Sequence, residues 1–176
     1  TPASCAELVK VFVDSGVPSG VINLVYGIPS DISNYLIPHP IVKKISFTGS
    51  TAVGKKLASL AAEHMKLSTM ELGGHAPAIV FNDANLSAAL DVLTAQKFRN
   101  AGQVCVAPTR FLIQDKLYDQ FVEGYVERSK KVKLGNGLEP ETTMGPLAHD
   151  RRLAAVEELV QEATDLGATI HTGGQR

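Results

Sequence analysis

The sequence has no marked excess of charge of either sign. Its 17 Lys and Arg residues against 18 Asp and Glu residues leave a formal net charge of -1, so nothing in the charge favours binding to nucleic acid or to an anionic membrane. No apolar run reaches the ~18 residues that a membrane span requires, and we expect no secretory leader. We therefore predict a protein with neither nucleic-acid nor membrane partners.

Cysteine is scarce, and histidine is scattered. The two cysteines, Cys5 and Cys105, lie in unlike contexts, so they do not indicate a disulfide framework, and a reducing, cytoplasmic compartment is expected. The five histidines show no metal-ligand spacing, so no metal site is predicted. No histidine is close to Cys105 in the sequence, although a Cys-His pair formed in space remains open.

Apolar periodicity predicts alternating helices and strands in the first 71 residues. Helices are predicted at 4–15 and 30–37, and a third is opened by the stretch 48–54 and runs to about residue 64. Strands are predicted at 21–25, 42–47 and 66–70. Such alternation implies an α/β fold with a mostly parallel, doubly wound sheet. Ligands of these sheets bind beyond the carboxyl ends of the strands, where the turn at Gly49 and the carboxylate of Glu71 both fall.

The pair Gly73-Gly74 is predicted to be a hinge between two domains, 1–72 and 73–176. After the hinge, strands are predicted at 77–81, 109–113 and 168–171, and helices at 85–100, 115–132 and 150–166. Cys105 falls on the connection between a helix and a strand, among the small residues Ala101, Gly102 and Ala107. That placement suits a reactive thiol held by rigid neighbours, but a buried structural cysteine is about equally plausible on local grounds.

The segment Gly49-Ser-Thr-Ala-Val-Gly-Lys-Lys56 nearly matches the phosphate-binding loop of nucleoside triphosphatases. Lys56 occupies the position of the hydroxyl that would hold magnesium, which argues against that loop. A turn that binds a pyrophosphate at a helix N-terminus remains open, with Ser50 and Thr51 as donors. An ordinary capped helix start is an equal alternative.

Taken together, the segments resemble the aldehyde dehydrogenase superfamily over essentially the whole chain. The resemblance is carried by four motifs in this order: Phe47-Thr-Gly-Ser-Thr51 with Gly54; Met70-Glu-Leu-Gly-Gly74; Gly102-Gln-Val-Cys105; and Leu134-Gly-Asn136 followed by Met144-Gly-Pro146. Each motif alone is weak evidence for the family, but a chance occurrence of all four in this order is improbable. The resemblance implies part of a Rossmann-type dinucleotide-binding domain in 1–72 and the first part of a second α/β catalytic domain in 73–176.

The resemblance also implies the roles of individual residues. Cys105 matches the nucleophile that attacks an aldehyde, and Glu71 matches the general base that acts through water. NAD or NADP is the implied cofactor, and the residues implied to contact it are Thr48, Gly49, Ser50, Val53, Gly54, Leu72, Gly73 and Gly27. Within this reading, Glu71 and Cys105 are expected to face each other across one tunnel. The alternatives are a thiol hydrolase or acyl-transferase without nicotinamide, and a non-catalytic protein that keeps the fold.

The stretch from Lys97 to Gln103 resembles the succinate-semialdehyde dehydrogenase group. In that group an arginine at the spacing of Arg99 pairs with the substrate carboxylate, whereas a helix-terminal arginine facing solvent is the simpler alternative. Position 107 is Ala, so the resemblance implies no redox switch with a second cysteine there. Other family residues are expected to lie outside these 176, so we expect little activity from this chain alone and a homodimeric or homotetrameric parent.

Overall fold

The computed structural model describes residues 2–176 as a mixed α/β chain that divides into two compact units between Leu72 and Gly73. The first unit contains α1 (Pro2–Asp14), α2 (Pro29–Leu36), β1 (Lys44–Gly49), α3 (Thr51–Glu63) and β2 (Leu67–Leu72). The second contains β3 (Pro77–Val80), α4 (Leu86–Phe98), a 3-10 turn (Arg99–Gly102), β4 (Arg110–Ile113), α5 (Asp115–Ser129) and α6 (Asp150–Asp165). The predicted α/β class is confirmed.

In the first unit, β1 and β2 form a parallel pair with α3 as the crossover helix. The pairing begins at Lys44 opposite Leu67 and ends at Gly49 opposite Leu72. Lys66 fixes the start of this register, because its ammonium donates to the carbonyl of His39 at 2.9 Å and to that of Val42 at 2.7 Å. These two bonds therefore hold the start of β2 in its alignment with β1.

The strand predicted at 21–25 is not formed. These residues are exposed and have no strand geometry, and Val21 and Val25 keep 66% and 61% of their surface accessible. A strand needs a neighbour for its backbone hydrogen bonds, and no strand of residues 2–176 pairs with this segment. The apolar pattern of residues 21–25 indicates that these side chains tend to be buried. A strand forms only where a neighbouring strand also takes its backbone hydrogen bonds.

In the second unit, β3 and β4 also form a parallel pair, from Pro77 opposite Arg110 to Val80 opposite Ile113. The core of this unit contains the buried side chains of Val80, Leu90 and Phe121. Here α4 packs closely on α5, since a Cβ added to Gly124 would lie 2.5 Å from Leu90 Cδ1.

The end of the second unit departs from the sequence-based expectation. Residues 168–171, predicted as a strand, are exposed and unpaired within the described part of the chain, for the same reason as residues 21–25. An isolated parallel bridge joins Leu134 to Met144, and the Gly135 N–H donates to the Met144 carbonyl at 3.2 Å. The bridge thus brings together the two parts of the fourth motif.

Residues 2–176 offer no candidate for a membrane span or for a metal site. No helix in this range combines the length and the apolar character needed to cross a membrane. No group of three or more His, Cys, Asp or Glu side chains in the same range is arranged to hold a metal ion.

Candidate active site

The carboxyl ends of β1 and β2 bring four of the predicted site residues together. Thr48 is paired in register with Glu71, and Gly49 with Leu72. Paired residues of parallel strands project on the same face and successive residues on opposite faces, so Thr48 and Glu71 share one face and Leu72 lies on the other. Both Thr48 and Glu71 are exposed, whereas Leu72 is half-buried. The strand β2 ends at Leu72, two residues later than predicted, so Glu71 is its second-last residue.

The helix α3 begins immediately after this edge, with Ser50 as its N-cap. The Ser50 hydroxyl oxygen accepts a hydrogen bond from the Val53 N–H at 3.4 Å. Accepting this bond leaves the hydroxyl proton free to donate to a ligand. The first turn of α3 carries no acidic residue, so its unpaired N–H groups and positive dipole end suit an anion. The helix start is thus capped by Ser50, and pyrophosphate binding at this turn stays a prediction.

Close packing explains the glycines at the start and in the first turns of this helix. A Cβ at Gly54 would lie 2.5 Å from Leu72 Cδ2, and a Cβ at Gly49 would lie 2.5 Å from Phe47 Cζ. Both distances are well below van der Waals contact. Gly54 therefore lets α3 approach the end of β2, and the position of the Leu72 side chain depends on it.

A cavity of about 880 Å³ lies between α2, β1 and α3. It brings together Gly27 and Val53, two residues predicted to contact the cofactor. Its walls are mainly apolar, with Ile45, Phe47 and Leu57 among them. Cavities of this size and character accommodate small organic ligands, and a flat adenine ring would fit such walls.

The thiol loop, residues 99–109, begins with a sharp departure from helix geometry. The structure ends α4 at Phe98, two residues before the predicted end, and the next residues adopt left-handed backbone angles: φ is 52° at Asn100 and 54° at Ala101. Such angles cost roughly 1–3 kcal/mol at a non-glycine residue. They are held by a reciprocal contact in which the Gln103 N–H donates to the Asn100 carbonyl at 3.0 Å and Asn100 Nδ2 donates to the Gln103 carbonyl at 3.2 Å.

Cys105 lies on the tight turn that follows. The Ala107 N–H donates to the Val104 carbonyl at 2.9 Å, and Ala107 and Pro108 are buried, whereas the Cys105 thiol is free and exposed. No acceptor among residues 2–176 takes the Cys105 N–H, which leaves it available to a bound ligand. The exposed Cys105 side chain does not favour a buried structural role, and its role as nucleophile stays a prediction.

Gly73 and Gly74, predicted as the hinge, open the second unit. A Cβ at Gly74 would come within 3.8 Å of the Cys105 carbonyl oxygen, whereas none at Gly73 would meet an atom within 4 Å. Gly74 thus runs beside the thiol loop, and the space around Gly73 is open. The predicted contact of Gly73 with a cofactor stays a prediction.

Arg99 is exposed and forms the C-cap of α4, where the chain turns out of the helix. No carboxylate of residues 2–176 lies within ion-pair distance of its guanidinium. Two residues earlier, burial lowers the pKa of the Lys97 ammonium. Arg99 is thus an unpaired cation six residues before the thiol.

The structure therefore groups the predicted residues within each unit. The expected meeting of Glu71 and Cys105 stays a prediction, because the two residues belong to different units. Sequence reasoning missed two contacts, the Asn100–Gln103 clamp and a link between His75 and Thr109. The spacing of Asn100 and Gln103 by three residues is a local signal that was available, whereas nothing local joins residues 75 and 109.

Comparison with known proteins decides the family. The sequence model of the Aldehyde dehydrogenase family matches residues 1–176. The chain belongs to this family. It is 46% identical over 176 residues to the mitochondrial succinate-semialdehyde dehydrogenase of Arabidopsis thaliana, a match that covers 100% of the chain and 33% of that protein.

The chain is also similar to a second curated protein and to a solved structure. A putative 4-(hydroxymethyl)benzenesulfonate dehydrogenase of Comamonas testosteroni is 45% identical over 168 residues, which cover 96% of the chain and 35% of that protein. The crystal structure of an NADP-dependent enzyme from Escherichia coli superimposes with a TM-score of 0.97 at 42% identity, over 99% of the chain and 36% of that structure. The aldehyde dehydrogenase-like fold is thus confirmed, and the chain spans about a third of the length of the relatives it matches.

Proposed function

We propose that the protein containing this chain oxidises an aldehyde to a carboxylic acid with NAD or NADP, using Cys105 as nucleophile and Glu71 as general base. The observation that carries the proposal is the free, exposed thiol of Cys105 on a tight turn, with an unoccupied backbone N–H beside it, in a chain that belongs to the aldehyde dehydrogenase family. A strained, exposed loop is where reactive groups are commonly held. In this proposal the first unit is the C-terminal half of the NAD(P)-binding domain and the second is the start of the catalytic domain.

The proposed reaction begins when the Cys105 thiolate adds to the aldehyde carbon and the carbonyl π electrons move to oxygen. The Cys105 N–H donates to this alkoxide, as the donors of an oxyanion hole do. Re-formation of the carbonyl expels hydrogen with its bonding electron pair and leaves a thioester on Cys105. Bound NAD or NADP supplies the acceptor for that hydride.

Glu71 acts in the second half of the proposed reaction. Its carboxylate removes a proton from water, the water oxygen adds to the thioester carbon, and the carbon–sulfur bond breaks. The products are a carboxylic acid and the regenerated Cys105 thiolate. Two observations support this role: Glu71 is exposed, and it shares a strand face with Thr48, at the edge of the sheet where ligands of α/β folds bind.

The first unit offers groups that fit a dinucleotide. Ser50 keeps a free hydroxyl proton, and α3 presents its N-terminus to an anion, which suits a pyrophosphate. The cavity that contains Gly27 and Val53 provides apolar walls for an adenine. Leu72, Gly49 and Gly54 lie at the same edge, and we assign them to this cofactor-binding surface.

For the substrate, we propose an aldehyde that carries an anionic group, such as succinic semialdehyde. Arg99 supports this choice, because its guanidinium is exposed and unpaired among residues 2–176 and forms strong bidentate bonds with carboxylates and sulfonate-like oxyanions. The names of two relatives agree, since one is called a succinate-semialdehyde dehydrogenase and the other names a benzenesulfonate. A cytoplasmic homodimer or homotetramer remains our expectation, supported by the family resemblance.

The test is mutation of the two residues in the intact protein. Cys105→Ala is expected to abolish NAD(P)H formation from an aldehyde, and Glu71→Gln to leave a single burst of NAD(P)H followed by slow turnover, because the thioester forms but is not hydrolysed. Cys5→Ser is the matched control, since it removes the other exposed thiol. Steady NAD(P)H formation by Cys105→Ala would contradict the proposal, and ester turnover without any cofactor-dependent absorbance change would favour a thiol hydrolase.

A further inference from the structure

A second link ties the thiol loop to the segment that opens the second unit. Three contacts join His75 to Thr109: the Thr109 N–H donates to the His75 carbonyl at 3.2 Å, the Thr109 hydroxyl donates to the same carbonyl at 2.5 Å, and His75 Nδ1 lies 3.1 Å from Thr109 Oγ1. No other side chain within residues 2–176 forms a hydrogen bond with the His75 ring. The two residues are 34 apart in the sequence, so the link closes a long segment.

The single hydroxyl proton of Thr109 determines which atom donates in the contact between His75 Nδ1 and Thr109 Oγ1. Thr109 has one hydroxyl proton, and the short bond to the His75 carbonyl uses it. The 3.1 Å contact is therefore a bond in which Nδ1–H of His75 donates to the Thr109 oxygen.

The link lies where it can hold the nucleophile. Gly74, next to His75, is the residue whose added Cβ would approach the Cys105 carbonyl to 3.8 Å. Thr109 ends the thiol loop and precedes β4 by one residue, and the β3–β4 pairing begins at once with Pro77 opposite Arg110. The thiol loop is thus held after Cys105 by the His75–Thr109 link, and before Cys105 by the Asn100–Gln103 clamp.

A strained backbone residue lies next to the link. Ala76, between His75 and β3, has φ of 34°, in the left-handed region that a residue with a Cβ rarely adopts. Such a conformation persists only where the surrounding contacts impose it. The contacts on the His75 carbonyl are on the residue immediately before Ala76, and β3 begins immediately after it.

We propose that His75 and Thr109 are positioning residues that hold the Cys105 loop against the Gly73–Ala76 segment. This inference rests on the proposed function, in which Cys105 is the nucleophile. It differs from a Cys-His pair, in which His75 would take the thiol proton. Here the His75 ring serves the thiol only by donating from Nδ1 to Thr109.

The experiment compares two pairs of variants in the intact protein, with a Cys5→Ser background and with alkylation by iodoacetamide read at the peptide that contains Cys105. Thr109→Val removes both side-chain bonds, whereas Thr109→Ser keeps the hydroxyl. His75→Leu removes the ring donor, whereas His75→Asn keeps an N–H at a similar place. We expect kcat to fall about tenfold in Thr109→Val and about threefold in His75→Leu, in proportion to the bonds lost. Thr109→Ser and His75→Asn should restore most of the rate.

Two further measurements separate positioning from other roles. The rate of Cys105 alkylation without cofactor should differ between Thr109→Val and Thr109→Ser as kcat does, because the link and the thiol loop both lie in the second unit. The pH profile of Cys105 alkylation should keep its shape in His75→Asn, whereas a Cys-His pair would lose its low-pH limb. Equal kcat and alkylation rates in Thr109→Val and Thr109→Ser would overturn the proposal.

Failure of the proposed function has a different signature. It would appear as activity that survives Cys105→Ala, whatever the Thr109 variants do. If Cys105→Ala is inactive while both Thr109 variants match the unmodified protein, the nucleophile stands and only the positioning role is wrong. Loss of soluble protein in Thr109→Val alone would not decide the matter, and the His75→Leu and His75→Asn pair then carries the test.

Discussion

Gly54→Ala offers a sharp test of how α3 and β2 shape the cofactor surface. The added methyl carbon would lie 2.5 Å from Leu72 Cδ2, 3.2 Å from Cδ1 and 3.4 Å from Cγ. All three atoms belong to the same side chain, so Leu72 must move or α3 must lift away from the sheet. Because Leu72 is half-buried under the helix, either movement lowers the stability of the fold.

Two opposing terms set the size of the effect. Overpacking of this kind costs about 1–3 kcal/mol, while alanine is favoured over glycine in a helix interior by about 1 kcal/mol. The net loss of stability is therefore about 1 kcal/mol. Displacement of Leu72 should also weaken a cofactor contact worth about 1 kcal/mol, which corresponds to about a fivefold rise in KM for NAD or NADP.

The assay is urea unfolding together with steady-state kinetics over a range of cofactor concentrations. Ala62→Gly, at an exposed site of the same helix, measures helix propensity without a clash. The double variant Gly54→Ala with Leu72→Val removes the clashing Cδ atoms and should lose less stability than the two single changes added together. A Gly54→Ala variant that is more stable than the unmodified protein, with unchanged cofactor KM, would refute the packing argument.

Two further predictions follow from Arg99 and Tyr125. Arg99→Ala should lower kcat/KM for succinic semialdehyde roughly 10- to 100-fold and spare neutral aldehydes, with Arg99→Lys intermediate; an equal loss on both substrate classes would argue against a carboxylate contact. Tyr125→Phe should raise the unfolding free energy by about 1 kcal/mol, because the Tyr125 hydroxyl is buried without a partner among residues 2–176. Burial raises the pKa of Tyr125 to about 12 from 10.0, so the unfolded chain releases this proton first and stability should fall as the pH rises from 10 through 12. Urea unfolding at pH 8 and pH 11 should show this fall in the unmodified protein and in Tyr118→Phe, an exposed control, but not in Tyr125→Phe.

Local signals were enough to predict most of the elements that carry the site. The start of α3 within the stretch 48–54 follows from the strand and the glycine-bearing turn before it, and the helix ends at Glu63, one residue before the predicted end. Residues 21–25 and 168–171 show the limit of such signals, because apolar alternation records a tendency to be buried, while a strand also requires a hydrogen-bonding neighbour. A short stretch of sequence shows the tendency to be buried, but it does not show whether a hydrogen-bonding neighbour is present.

The thiol loop was predictable in place but not in shape. Its position between a helix and a strand followed from periodicity, and the small residues around Cys105 indicated access. The left-handed angles at Asn100 and Ala101 were not predicted, because the apolar periodicity that placed a helix at 85–100 carries no information on the backbone angles at its end. The link from His75 to Thr109 depends on the register of β3 with β4, which joins residues that no local pattern connects.

The register set by Lys66 has a consequence for insertions and deletions. Side chains of β2 alternate between its two faces, so Glu71 and Leu72 point in opposite directions. A deletion of one residue between α3 and β2, with the pairing to β1 otherwise kept, would exchange the acid for the leucine at the exposed face. The length of this short connection is therefore as much a requirement of the proposed chemistry as the carboxylate itself, although the connection touches neither substrate nor cofactor in the proposed reaction.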